Sequence, residues 1–264
     1  LFSDAEEIGL LGASAFVNNH LWAKDVGLVL NFEARGSGGP SYMLMETNGG
    51  NKNLIKNFSE ANPKYAVASS LMYSIYKMLP NDTDLTIFKE DGDIDGFNFA
   101  FIDDHFDYHT AQDSFERLDR NSLEHQASYL MPLLNYFGDA DLNNLKSNKD
   151  YVYFSLPFIG MIFYSFSMIL PMLLLAIILF IVLILYAIKK NQIKTGYIFS
   201  GFFPFIIALI IAGLATYFGW KLILKIHPQY SDILQGFTYN GHYYIAAFST
   251  LTLGILFLIY DRHF

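Results

Sequence analysis

The chain contains no cysteine, which excludes disulfides, thiolate zinc sites and cysteine nucleophiles. The compartment stays open, because an extracytoplasmic protein need not use disulfides. Any metal in this chain has to sit on carboxylates and imidazoles. Positive charge is scarce as well: 17 Lys+Arg face 25 Asp+Glu for a net charge of −8, and the lack of a basic stripe argues against a nucleic-acid partner. Charged residues of both signs make up only 16% against 53% hydrophobic, too apolar for a disordered chain. There is no internal repeat and no low-complexity segment. The first residues, Leu1-Phe2-Ser3-Asp4, show neither an initiator Met nor a signal-peptide pattern. The chain is therefore expected to be a fragment, with part of any active site upstream of Leu1.

What charge there is divides unevenly. Residues 1–150 hold 23 Asp+Glu and 11 Lys+Arg, a net of −12, and residues 151–264 hold 2 and 6, a net of +4. Two solvents follow, water for the acidic part and lipid for the apolar part. No Asp, Glu, Lys or Arg occurs from Tyr151 to Ile188, from Thr195 to Gly219 or from Ile233 to Tyr260, and about 20 apolar residues suffice for a helix to cross a bilayer core. Three transmembrane helices are expected, at about 166–188, 197–219 and 241–260, within a membrane domain covering 166–264. Residues 1–140 form a soluble domain. Between them, 141–165 is a linker and interfacial lead-in, rich in aromatic and β-favouring residues and broken by Pro157.

Lys189, Lys190 and Lys194 crowd the short connection between the first two spans, whereas Lys221 and Lys225 share a longer one with Asp232. Positive charge near span ends marks the cytoplasmic side, so the acidic domain is expected outside the cytoplasm, periplasmic or lumenal. Trp220, Tyr197, Tyr217, Tyr243 and Tyr244 suit an aromatic belt. The spans lack intramembrane charges of the kind a transporter uses and read as an anchor in the lipid bilayer.

In the acidic part, Asp25–Phe32, Tyr42–Glu46 and Phe97–Ile102 read as strands, and Asn53–Ala61 and Ser69–Leu79 as helices. Asn121 with Glu124 resembles a capping box, followed by Leu123, Ala127, Leu130, Leu134 and Phe137 on one helical face. Such alternation predicts an α/β layered fold with a mostly parallel sheet. Asp4-Ala5-Glu6-Glu7, Glu33 and His109 each fall near the end of a predicted strand. Ligands of open α/β sheets bind beyond the carboxyl ends of strands, and carboxylate with imidazole suits zinc. Taken singly, a Glu-Glu pair is ordinarily a solvated helix start, and a strand-end Glu is ordinarily a cap or salt-bridge partner. His20, His125, His227, His242 and His263 have no ligand-like spacing and read as surface or interfacial. Spacing alone stops at a membrane-anchored α/β domain with a possible metal site.

The order of the motifs adds a resemblance. Leu1-Phe2-Ser3-Asp4-Ala5-Glu6-Glu7-Ile8-Gly9-Leu10-Leu11-Gly12-Ala13-Ser14 resembles the glutamate-pair segment of the M28 zinc peptidases. Asn31-Phe32-Glu33-Ala34-Arg35-Gly36-Ser37-Gly38-Gly39 resembles the next segment of their membrane-bound branch, the endoplasmic reticulum metallopeptidases and vacuolar membrane proteases. Pro80-Asn81-Asp82-Thr83-Asp84, Gly96 to Asp103 and Tyr108-His109-Thr110-Ala111-Gln112-Asp113 continue it in order, over about residues 1–138.

The resemblance implies a zinc-aminopeptidase-like three-layer domain followed by transmembrane helices, and a peptide substrate. It implies Glu6 as general base, Glu7 and His109 as ligands of one Zn2+, Glu33 as ligand of a second, and Tyr108 as a group that helps stabilise the oxyanion. The remaining ligands of the family, a His-x-Asp and a bridging Asp, lie ahead of the glutamate pair, so this chain alone is expected to hold zinc poorly. The family fold also has non-catalytic members, and a membrane-anchored binding or scaffold protein is the alternative reading.

Overall fold

The computed structural model describes residues 3–78, 82–233 and 237–263. Leu1-Phe2 of the first motif, Leu79 of the helix expected over Ser69–Leu79 and the Pro80-Asn81 part of the third motif lie outside these residues, as do the side chains of Phe199, Arg262 and His263. The chain divides into two compact units, Leu1–Ile169 and Leu170–Phe264.

The first unit is built on a four-stranded sheet of β1 (Val29–Ala34), β2 (Gly38–Glu46), β3 (Val67–Ala68) and β4 (Gly96–Asp103), in the order β1-β4-β2-β3. β1 with β4 and β2 with β3 run parallel, and the central pair β2 with β4 is antiparallel. The fold is thus α/β with a parallel-rich sheet. Alternation along β4 sets the layers, because successive side chains of a strand point to opposite faces. Phe97 and Phe99 face one side and pack with Met43, Met45 and the helices α2 (Lys52–Ala61) and α5 (Arg120–Asp139). Phe99 lies 4.8 Å from the Tyr129 ring and Phe97 lies 5.4 Å from Phe58, centroid to centroid. Each such fully buried ring contributes about 1.5–3 kcal/mol. On the other side α1 (Leu11–Asn19) and α4 (Asp84–Gly92) bury Ala13, Leu85 and Phe88 against Ile94 and Val29. A further helix, α3 (Ser70–Met78), carries Tyr76 to within hydrogen-bonding distance of Glu46 on β2.

Several local expectations shift. β1 runs Val29–Ala34 in place of the expected Asp25–Phe32: Asp25 ends a 3-10 helix, Leu21–Asp25, and the strand continues two residues past Phe32. α4 was not evident from periodicity: its buried residues are Leu85, Thr86 and Phe88, and polar Thr86 breaks the apolar stripe. The largest correction concerns α5. Its cap is Asp119, which accepts from the Asn121 N–H at 2.9 Å, in place of the Asn121/Glu124 box. Its buried face is Ser122, Gln126, Tyr129, Leu133 and Phe137, while Leu123, Leu130 and Leu134 are exposed. The reason is hydrogen bonding. Gln126 Nε2 donates at 2.7 Å to the carbonyl oxygens of both Glu33 and Phe99, and Tyr129 donates to Ser41 O while accepting from Val67 N. Buried backbone groups left without partners cost more than an exposed leucine.

After α5, β5 (Tyr151–Leu156) and β6 (Gly160–Ser165) form an antiparallel hairpin. Tyr153 is 1% exposed and belongs to the main core, so the extended lead-in is docked on the sheet unit through side-chain burial.

Among the described residues of the second unit are three helices long and apolar enough to cross a membrane: α6 (Ile169–Lys189), α7 (Thr195–Ile226) and α8 (Gly241–His263). α7 runs past the expected end at 219 and takes Lys221 and Lys225 into its last turns, leaving a shorter connection to α8. α7 and α8 pack through Trp220 against the edge of Tyr244 at 5.6 Å, and through Phe248, which sits where a Cβ on Gly219 would otherwise lie. Tyr230, in the connection, accepts from Asn240 at 3.3 Å and from Tyr244 at 3.4 Å.

Candidate active site

Glu6 and Glu7 sit in the turn that precedes α1. The turn is tight. Gly9 and Leu10 both donate to Glu6 O, Leu11 donates to Ala5 O and Gly12 to Asp4 O. Ala5 and Leu10 take positive φ values of 59° and 58°, a conformation non-glycine residues adopt at a cost of about 1–3 kcal/mol and which concentrates at functional sites. Gly12 permits the close return of α1. A Cβ there would lie 2.7 Å from Asp4 N and nearer still to Asp4 O.

Glu33 lies within β1, one residue from its end, and not beyond the strand as its position suggested. The parallel register sets it beside Ala100 of β4, three residues before β4 ends at Asp103. The loop that leaves β4 therefore starts from the same end of the sheet as Glu33. This loop turns repeatedly, with Asp104 and His109 at φ 55° and 56°. Its inner post is Asp107, 1% exposed, which accepts from Ser37 Oγ at 2.6 Å and Arg117 Nε at 2.9 Å, with Arg117 Nη2 2.9 Å from the other oxygen. Burial pushes the Asp107 carboxyl upward, but the bonds from Arg117 and Ser37 outweigh it and hold the group below its ordinary range.

The result is a contact across 102 residues: His109 Nε2 lies 2.8 Å from Glu7 Oε1. Both side chains are open to solvent. Tyr108 stacks on His109, ring centroids 3.8 Å apart, and Arg35 sits over the Tyr108 ring at 5.4 Å. Glu6 is half-buried, and its carboxyl is raised by burial and by the negative charges of Glu7 and Asp84, against the pull of His109 and Arg35. Glu33 is raised to about 7. Burial dominates, and Glu6 and Asp84 add to it, while the bond from Asn31 and the charge of Arg35 oppose it. Tyr108 is raised by burial, with Arg35 opposing and the three glutamates reinforcing. The sequence-predicted residues Glu6, Glu7, Glu33, Tyr108 and His109 thus share one electrostatic neighbourhood.

Asp84 and Arg35 belong to it too, although the sequence suggested no role for either. Arg35 lies just past β1, which ends at Ala34, so strand alternation does not set its direction. Asp84, on α4, had no local signal. Its Oδ2 accepts from Ser3 Oγ, while Oδ1 is buried without a hydrogen-bond partner. This neighbourhood suits a divalent cation on chemical grounds. Carboxylates outnumber cationic groups, Glu33 is forced toward its neutral form, one buried oxygen is orphaned, and oxygen with imidazole nitrogen is a zinc donor set. The set is partial: among the described residues no three His, Asp or Glu side chains converge on one metal position.

Of the remaining histidines, His125 is structural and not a surface bystander. Its Nδ1 accepts from Ser41 N at 3.0 Å, and its Nε2 meets Tyr65 O at 2.8 Å.

Residues 1–134 match Peptidase family M28, and the chain belongs to that family, in its membrane-bound branch. Endoplasmic reticulum metallopeptidase 1 of Rattus norvegicus is 26% identical over 272 residues, which take in 98% of this chain and 29% of that protein. Vacuolar membrane protease of Candida dubliniensis is 32% identical over 166 residues, 62% of this chain and 17% of that protein. The protein of the same description in Debaryomyces hansenii is 36% identical over 129 residues, 48% and 12%. The chain thus spans less than a third of the length of these curated relatives. No solved structure matches it.

Proposed function

We propose that this chain carries the glutamate-pair half of a membrane-anchored, zinc-dependent peptidase of the aminopeptidase type, with its catalytic domain outside the cytoplasm. The observation that carries the proposal is the Glu7–His109 contact beside Glu6. It places a carboxylate, an imidazole and a second carboxylate of raised proton affinity at one end of a parallel strand pair. Glu7 and His109 would hold one zinc and Glu33 a second, with further ligands from residues ahead of the glutamate pair. When bound, the ions supply Lewis acidity toward the scissile carbonyl and lower the pKa of a water.

The chain's own groups do the proton work. Glu6 takes a proton from the attacking water and delivers it to the leaving amine as the C–N bond breaks. Its raised proton affinity brings it nearer the operating pH, where a general base works best. Tyr108, kept protonated, donates its O–H toward the developing oxyanion. The peptide substrate meets these groups from the solvent side, where Glu7 and His109 are exposed.

The test is Glu6→Gln in the full-length protein. Turnover should fall by about 100- to 10,000-fold while zinc content stays near wild type, because a base that does not bind metal can be lost without loss of coordination. Loss of metal from Glu6→Gln as readily as from Glu7→Ala would show the two roles to be misassigned. Wild-type protein that binds zinc but turns over no peptide would favour a binding or scaffold role.

A further inference from the structure

A line of polar side chains crosses the otherwise apolar sheet and ends at Glu33. At its far end Lys89 Nζ donates to Glu46 Oε2 at 2.8 Å, and Glu46 is 6% exposed. Glu46 Oε1 accepts from Thr86 Oγ1 at 2.9 Å and from Tyr76 OH at 3.0 Å. Asn98 Nδ2 reaches Tyr76 OH at 3.5 Å, the longest link. Asn98 Oδ1 accepts from Asn31 Nδ2 at 3.2 Å, and Asn31 Nδ2 also donates to Glu33 Oε1 at 2.6 Å.

The pattern is costly for structure alone. Asn31 and Asn98 are register partners in the middle of two parallel strands, where asparagine is depleted and valine or isoleucine would pack better. Asn98 is 1% exposed. Local rules broken in a consistent direction mark functional positions. The direction here is set by donor and acceptor chemistry. The Glu46 carboxylate accepts from Tyr76 OH, which in turn accepts from the Asn98 amide nitrogen. This assigns Asn98 Oδ1 to face Asn31, and that in turn fixes which hydrogen Asn31 has left for Glu33.

Resting on the reading of Glu33 as a metal ligand, we infer that Asn31, Asn98, Tyr76, Glu46 and Lys89 form a positioning relay. It holds one oxygen of Glu33 in a fixed hydrogen bond, so that the carboxylate meets a zinc ion in a single orientation. Asn31 touches the ligand, and the four residues behind it act through Asn31. Outer partners of this kind fix ligand geometry, and their loss costs about 10- to 100-fold in metal affinity.

The experiment uses the full-length protein, with Zn2+ affinity measured by chelator competition and the Co2+-substituted protein examined by visible absorption. Asn31→Ala should weaken Zn2+ binding by about 10- to 100-fold and shift the Co2+ bands. Tyr76→Phe, which removes only the remote hydroxyl, should shift the same bands with a smaller loss. Because it keeps the ring packing, Tyr76→Phe stays informative even where Asn31→Ala does not fold. A merely structural relay would lower thermal stability and leave the Co2+ bands unchanged, and that result overturns the inference. Glu33→Gln separates the two levels. If it loses metal while Asn31→Ala and Tyr76→Phe bind as wild type, the relay is wrong and the ligand reading stands. If it keeps its metal, the ligand reading is wrong and the relay falls with it.

Discussion

Replacing Asp107 with alanine tests whether the loop that carries His109 is held from inside. The carboxylate is 1% exposed; one oxygen accepts from Ser37 Oγ and Arg117 Nε, and the other lies 2.9 Å from Arg117 Nη2 as an ion pair. Breaking a buried ion pair costs about 3–5 kcal/mol, mostly because a charge is stranded. The Arg117 side chain is 45% exposed, regains water once its partner is gone, and brings the cost to the low end. Ser37 does not recover. At 3% exposed its hydroxyl loses its acceptor, a penalty of about 1–3 kcal/mol contained in the same total. The expected loss is about 3 kcal/mol, on the order of 100-fold in the loop's opening equilibrium. Hydrogen exchange by mass spectrometry reads that opening directly. Peptides covering 104–118 should exchange about 100-fold faster, while those from β2 and β4 stay protected. Asp107→Leu with Arg117→Met should be less damaging than Asp107→Ala, since apolar replacement strands nothing. An effect within the ±0.5 kcal/mol typical of surface substitutions would refute the reasoning.

Gly12→Ala should lower turnover in a protein that still folds, because the new Cβ displaces Asp4 and with it the turn bearing Glu6 and Glu7. Alanine is the better helix former by about 1 kcal/mol, so a more stable protein of unchanged activity would contradict this. Burial raises the Tyr129 hydroxyl to about 12, above its ordinary value near 10. The folded state therefore holds this proton more tightly: the contribution is full below about pH 10 and is lost as pH rises toward 12, by on the order of 3 kcal/mol in all. Denaturation across that range should show a shallower decline for Tyr129→Phe, and parallel slopes would refute the assignment. For topology, single cysteines at Asn191 and Ser147 are free of background in a chain without native cysteine. A membrane-impermeant thiol reagent should label Ser147→Cys and not Asn191→Cys in sealed cells with residues 1–150 facing outward; the reverse pattern would place residues 1–150 in the cytoplasm.

The parts of the fold visible in the sequence are those set by a single physical signal. Runs without charge locate α6, α7 and α8, and the alternating phenylalanines of 97–101 give β4 its core-facing side. The face of α5 was misjudged because its inward positions are chosen by hydrogen-bond demand: Ser122, Gln126 and Tyr129 look polar, and the leucines beside them look buried. At the site, Glu6, Glu7, Glu33, Tyr108 and His109 were legible from the wording of the motifs. Their approach was not. Glu7 and His109 meet because α1, packed with α4, brings the turn bearing Glu7 to the loop that leaves β4, which Asp107, with no signature of its own, anchors. The Asn31–Asn98 pair had no assigned role because its meaning resides in register across strands far apart in sequence, and Asp84 had none because its meaning lies in where α4 packs.

The length of α7 has a consequence of its own. Its uncharged stretch, 195–219, measures about 37 Å at 1.5 Å per residue, against about 30 Å for 169–188 of α6. If both helices cross a hydrocarbon core of about 30 Å, the uncharged length of α6 matches it, while that of α7 exceeds it and is taken up by leaning or by local thickening of the bilayer. The lean grows where the bilayer thins and shrinks where it thickens. Lys221 and Lys225 would then keep one end at the headgroups, and α8 packs against that end of α7 through Trp220 and Tyr244. On that footing the angle of α7, more than that of α6, would follow the thickness of the membrane around it.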